Sequence, residues 1–249
     1  MKIINDLSRA LAAVCISTVA VAPPPATAAV AAVAPGDEID SVHSDGHFLR
    51  CTLGYSYIAP AGGTYGITAG HCNNPSSDYV RDRTTGAIGH YVVSSAGPAR
   101  AEGPDYALIS FGNNPPNPTV YGTTVSGIAA LNTALPLCHS GIRTGTACGQ
   151  FAGRLSPSES LSTGMPPSIA GDSGGPVWQP HPGGSATIVG IWLGEHTDYD
   201  GNPFGRFMEV SDVIANINQQ LAQRRPPPPS PAPPGGPPTA SPPTSVTSI

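Results

Sequence analysis

Glycine and proline set the first limit on what this chain can fold into. Each supplies 30 of the 249 residues, and together with Asn and Ser they punctuate short apolar or alternating runs from about Gly36 to Gly194. Proline removes a backbone donor and glycine is entropically costly inside a helix, so such a chain forms short strands joined by many turns. The runs 51–58, 64–69, 87–93, 106–111 and 186–193 are predicted strands. One helix is expected near the end, where Ser211 offers an N-cap and Val213, Ile214, Ile217 and Leu221 share a face at helical spacing. The fold class expected is therefore all-β with a C-terminal helix, without internal repeats.

The two ends stand apart. Lys2 and Arg9 precede an apolar run, Ala10 to Ala22, followed by the small-residue site Ala26-Thr27-Ala28, the outline of a secretory signal peptide over residues 1–28. The run is shorter than the roughly 20 residues that span a bilayer, and Pro23-Pro24-Pro25 ends it, so no stable membrane insertion is expected once it is cleaved. A lipid on Cys15 is the weaker alternative. The composition changes again after Arg225 to Pro, Ser, Thr and Gly, so residues 222–249 are expected to be a disordered or extended tail, with contact to the cell envelope as its functional reading. Between the ends lies one folded domain, 29–221.

Loss of the leader removes Lys2, Arg9 and Asp6, which moves the formal charge from -5 to -6 and leaves no lysine. Arg224-Arg225 is then the one basic cluster, so nucleic acid is a poor partner. Of the five cysteines, Cys51, Cys72, Cys138 and Cys148 remain after the leader, an even number that suits disulfides in an exported chain. Three pairings are possible, and Cys51–Cys72 with Cys138–Cys148 is favoured because each is local in sequence. Zinc competes for such residues, but none of the four has a C-x2-C partner. His43 and His47 form a His-x3-His pair in a segment read as flexible and preceding the domain proper; no metal is assigned to it, and no cofactor is called for.

Nucleophilic catalysis by serine needs a base, an acid that orients the base, and donors for the oxyanion. Gly171-Asp172-Ser173-Gly174-Gly175-Pro176 sets Ser173 among glycines, where the amides of Gly171 and Ser173 can aim at one oxygen. His71 follows a strand-like run and adjoins Cys72. Asp105 heads an apolar strand, where an unpaired carboxylate would be costly, and His71 is the obvious recipient. The Gly-x-Ser-x-Gly pattern also fits the nucleophile elbow of α/β-hydrolases, but that fold needs an acid and then a histidine after the serine. Here Glu195, the only acid before His196, is its immediate neighbour.

The segments Cys51-Thr52-Leu53-Gly54, Thr68-Ala69-Gly70-His71-Cys72, Asp105-Tyr106-Ala107-Leu108, Cys138-His139-Ser140-Gly141, Gly171 to Pro176 and Ile188-Val189-Gly190-Ile191 resemble the chymotrypsin-like serine peptidases, and more closely their bacterial streptogrisin and alpha-lytic-type branch. The resemblance covers roughly residues 36–221. It implies two antiparallel six-stranded β-barrels, with a boundary near 115–125 and the site in the cleft between them, and an exported, monomeric endopeptidase acting on protein or peptide substrates. By position His71 would be the base, Asp105 its orienting acid, Ser173 the nucleophile, and Gly171 and Ser173 the oxyanion donors. Asp172 would be structural, paired with an amine or another cation.

The pattern is departed from at three places. The strand after Gly190-Ile191 reads Trp192-Leu193-Gly194-Glu195, without the serine expected near the buried aspartate. The loop before Gly171 lacks a cysteine and carries Pro167 where a trypsin-like pocket would be acidic, which points to small or apolar side chains, with Glu195, Asp198 and Asp200 as the acids near enough to change that. The segment between leader and first strand is short for a pro-region. The alternative reading is a secreted binding protein on a retired peptidase scaffold.

Overall fold

The computed structural model describes residues 32–60, 62–73, 77–96 and 103–224. The expected leader at 1–28 and the tail from 225 onward lie outside the described residues.

The first sheet contains β1 (Glu38–Val42), β2 (Phe48–Thr52), β3 (Tyr55–Ile58), β4 (Thr64–Thr68), β5 (Tyr79–Asp82), β6 (Ile88–Ser95) and β7 (Tyr106–Gly112), in the order β2-β1-β5-β6-β7-β4-β3. Its end strands β2 and β3 are separated in sequence only by Leu53 and Gly54, so the sheet curls round into a half-barrel and stays open there. The break has a physical reason: at this bend the chain turns toward the second half of the domain, and Thr52 N–H donates to Ser173 C=O (2.9 Å) instead of continuing the ladder.

The second sheet contains β8 (Thr119–Val120), β9 (Thr123–Ile128), β10 (Leu137–Gly141), β11 (Gly145–Arg154), β12 (Glu159–Thr163), β13 (Pro176–Pro180), β14 (Ser185–Thr197) and β15 (Pro203–Glu209), in the order β13-β10-β11-β12-β15-β14-β9-β8. An additional β13–β14 pairing closes six of these strands into a barrel. The architecture is the chymotrypsin-like one expected, with one closed barrel and one curled half-barrel. The six strands that close the barrel pair antiparallel as expected, while β9, outside that closure, runs parallel to β14, with Ser185 opposite Thr124.

Burial explains which strands were legible. Tyr106 to Ile109 on β7 are all buried and apolar, covered on both faces. By contrast β1 carries Glu38 and Asp40, with Arg50 Nε 2.9 Å from each of their carboxylates, so a polar segment is made into a strand by its partners. His43 and His47 fall in the β1–β2 hairpin, where His43 N–H donates to His47 C=O (2.9 Å), and not in a flexible segment ahead of the domain.

The helix α1 spans Val210–Arg224 and follows β15 without a linker, so Ser211 lies inside its first turn and does not cap it. Its buried stripe is Val210, Val213 and Ile217; Ile214 is half-buried and Leu221 exposed. It ends three residues into the segment expected as tail, because its last turns are tied to the first sheet: Gln220 Nε2 donates to Tyr106 Oη (2.7 Å) and Arg224 Nη1 to Val92 C=O.

The residues before β1 tie the two sheets together. Val33 N–H donates to Pro115 C=O and Asn117 N–H to Val33 C=O, both at 2.8 Å. Asp37, which accepts Ala34 N–H (2.6 Å), is buried beside Asp82. Burial first, and the Asp82 charge second, push the Asp37 carboxyl up to about 7.

Candidate active site

His71 occupies a single 3-10 turn, Gly70–Cys72, immediately after β4. The turn can lie this close to its neighbours only because residue 70 is glycine: a Cβ there would sit 1.8 Å from Ser95 O. Two contacts then fix the histidine. Cys72 is bonded to Cys51 across the end of β2, and Cys138 to Cys148 in the second barrel, which is the pairing expected. Asp105, buried at the head of β7, accepts the His71 backbone N–H at Oδ1 (2.8 Å) and lies 2.7 Å from His71 Nδ1 at Oδ2. One carboxylate therefore holds both the backbone and the ring of the same residue, which orients Nε2 away from Asp105. Leu193 is buried and lines the same cleft, and among the described residues His71 is the only donor to the Asp105 carboxylate, without the serine partner that the family pattern led us to expect.

The loop that carries Ser173 is set by hydrogen bonds to its backbone. Gly171 (φ +112°) and Gly174 (φ +85°) adopt conformations that disfavour side chains. Asp172 is fully buried, but its partner is neither an amine nor a cation: Oδ1 accepts Arg143 N–H (2.8 Å) and Thr144 N–H (3.1 Å), and Oδ2 accepts Ile169 N–H (3.0 Å). The tight β10–β11 turn aims successive amides at it, which satisfies the charge without a counter-ion. Thr52 grips the same loop from the first sheet. Its Oγ1 donates to Gly171 C=O (2.8 Å) and accepts Ile142 N–H (3.1 Å), and its N–H donates to Ser173 C=O. The amides of Asp172, Gly174 and Gly175 are all engaged within the protein, whereas those of Gly171 and Ser173 donate to nothing among the described residues.

His71, Asp105 and Ser173 line one cleft of about 650 Å³, together with Ser168, Ile169, Leu193 and Arg206. Ser173 Oγ and His71 Nε2 make no hydrogen bond with each other. The arrangement presents a hydroxyl, an imidazole oriented by a carboxylate, and two unengaged amides, a set suited to acyl transfer. Of the acids expected near the pocket, Glu195 lines it; Asp198 instead closes its own loop, accepting the N–H groups of Asp200 (2.9 Å) and Asn202 (2.8 Å). Thr52 escaped sequence reasoning because nothing local distinguishes it from any strand threonine. Arg206, in the cleft wall 3.7 Å from Glu159, likewise has no sequence signature.

No family model matches the sequence. Two curated relatives do: Uncharacterized protein Rv1815 and Uncharacterized protein MT1863, from two strains of Mycobacterium tuberculosis, each 34% identical over 184 residues, which is 68% of this chain and 77% of the relative. Among solved structures the chain is similar to Nocardiopsis protease (TM-score 0.58, 22% identity) and Thermobifida fusca Protease A (TM-score 0.56, 22% identity), each match covering 76% of this chain and 97% of the other. It is also similar to a glutamic acid specific serine protease (TM-score 0.55, 20% identity, 75% of this chain and 98% of the other). At these identities the structural matches establish the shared fold.

Proposed function

The chain belongs to the family of the Mycobacterium tuberculosis protein Rv1815 and has a chymotrypsin-like fold, and from these premises we propose that it is an exported serine endopeptidase. The observation that carries this reading is the double hydrogen bond from His71 to Asp105 in the cleft that Ser173 shares, with the Gly171 and Ser173 amides left unengaged.

Ser173 Oγ attacks the peptide carbonyl as His71 Nε2 takes its proton. The imidazolium so formed keeps its Nδ1–H on Asp105, whose charge stabilises it. The carbonyl oxygen, now an oxyanion, is met by the N–H groups of Gly171 and Ser173. His71 then passes the proton to the departing amine, the acyl–Ser173 ester forms, and water repeats the sequence to release the acid. No cofactor enters the balance. The missing Ser173–His71 hydrogen bond fits this scheme, since such contacts are often long before substrate arrives.

The second reading, a binding protein on the same scaffold, takes its support from that open contact and from the lack, among the described residues, of a serine donating to Asp105. Mass spectrometry after fluorophosphonate treatment separates the two. A stoichiometric adduct on Ser173, abolished by Ser173→Ala and by His71→Ala, is the expected result; a folded, disulfide-intact protein that takes up no adduct would overturn the peptidase reading.

A further inference from the structure

Trp192 is buried to 1% exposure and its backbone is bonded directly to the nucleophile loop: its C=O accepts Gly174 N–H (2.7 Å) and its N–H donates to Gly175 C=O (2.8 Å). The indole is held on three sides. It lies across β15 at Gly205, where a Cβ would be 2.1 Å from its ring; it stacks on His139 with centroids 3.9 Å apart; and its N–H donates to Ser168 Oγ (3.0 Å). Beside it, between the 162–168 loop and residues 203–205, a hollow opens from the cleft, sharing Ser168 and Glu195 with it. Its volume is about 10 Å³, room for roughly one water molecule or a methyl group.

The hollow joins the cleft that Ser173 lines, and Trp192 is part of its wall. We propose that it receives the side chain that precedes the scissile bond of a peptide whose carbonyl reaches Ser173, and that Trp192 fills most of it, so that the substrates are peptides with Gly or Ala before the cleaved bond. The inference rests on the peptidase reading and narrows it to a substrate class. His139 is the back wall: it is buried among the same strands, so its neutral ring supports the indole face and keeps a larger side chain from displacing it.

The test uses peptide p-nitroanilides that differ only at the residue before the scissile bond, with wild type, Trp192→Ala and Trp192→Leu, each first titrated at Ser173 with a fluorophosphonate. Wild type should hydrolyse the Ala substrate at least about tenfold faster, by kcat/KM, than the Leu or Phe substrates, and the variants should shift that ratio toward Phe by about tenfold or more. A titratable wild type that cleaves Phe as fast as Ala, or a folded, titratable variant with an unchanged ratio, overturns the proposal. If wild type does not titrate, the peptidase reading has failed, and the filled hollow is still measured on its own: in a Ser173→Ala background, Trp192→Ala should bind benzene where its parent does not, and absence of binding by the folded variant overturns the assignment.

Discussion

Thr52→Val tests how Gly171 and Ser173, whose amides are the proposed oxyanion donors, are held in place. Valine matches threonine in shape, so the substitution leaves no cavity, and the bond from residue 52 N–H to Ser173 C=O survives it. What disappears is Oγ1, the donor to Gly171 C=O and the acceptor for Ile142 N–H. Both groups are left buried and unpaired at about 1–3 kcal/mol each, so unfolding free energy should fall by about 2–4 kcal/mol after partial relaxation. The kinetic effect is separate. Gly171 has no side chain to restrain it at φ +112°, and the Thr52 bond to its carbonyl holds its peptide unit together with the Asp172 N–H, which donates to Ile169 C=O (3.0 Å). With that bond gone its N–H, the proposed oxyanion donor, is held less firmly. Complete loss of one such donor lowers kcat about 10²–10³-fold, so a loosened one should cost about 10–100-fold with KM little changed. Thr52→Ser keeps the hydroxyl and should recover most of kcat. Steady-state kinetics and urea unfolding on the three proteins decide the matter: a Val variant with wild-type kcat, or a loss that Thr52→Ser shares in full, would refute the reasoning.

Two buried groups should give opposite pH dependences over one window. Asp37 is raised from 3.8 to about 7, so the folded protein holds a proton that the unfolded chain releases; its stabilising effect is complete below about pH 4 and is lost as pH rises to about 7. Burial lowers His139 from 6.5 to about 4, so its effect is complete above about pH 6.5 and is lost as pH falls toward 4. Urea midpoints between pH 4 and 8 should therefore rise with pH more steeply in Asp37→Asn, and less steeply or in reverse in His139→Phe, than in wild type; profiles parallel to wild type would sink the assignment. Gly174→Ala should abolish both folding yield and fluorophosphonate labelling, since the new Cβ would lie 1.9 Å from Thr68 Oγ1 and 2.5 Å from Thr52 O at φ +85°, which combines overpacking with backbone strain at about 2–6 kcal/mol. Recovery of that variant with a wild-type midpoint would show that the contact between the sheets is softer than it looks.

Local chemistry made much of this protein legible in its sequence. The strand Tyr106–Gly112 is apolar on its own account, Thr64–Thr68 is built of β-branched and aromatic residues around one glycine, and the two disulfides close short loops whose ends need travel little. Glycines around Ser173 announce a backbone that turns sharply, and a carboxylate at the head of an apolar strand must find a donor. The flanking residues of His71, Asp105 and Ser173, in that order, carried the resemblance to a fold.

What the sequence left open depends on residues far apart in the chain. The strand Gly145–Arg154 is rich in Gly and Ala and has weak intrinsic preference; it is a strand because β10 and β12 pair with it on both sides. Ser211 looks like a helix cap, but β15 runs straight into α1 and the packing of Val210 begins the helix earlier. An amine or cation was expected for Asp172, and a turn 28 or 29 residues away supplies amides instead. The grip of Thr52 on Gly171 spans 119 residues, and the size of the hollow beside Trp192 is fixed by Gly205, Ser168 and His139 from three other segments. The sequence by itself determined which groups were available and how the backbone could bend near them; only tertiary packing decided which buried group each would meet and how much space remained, because both are set by contacts that no local pattern records.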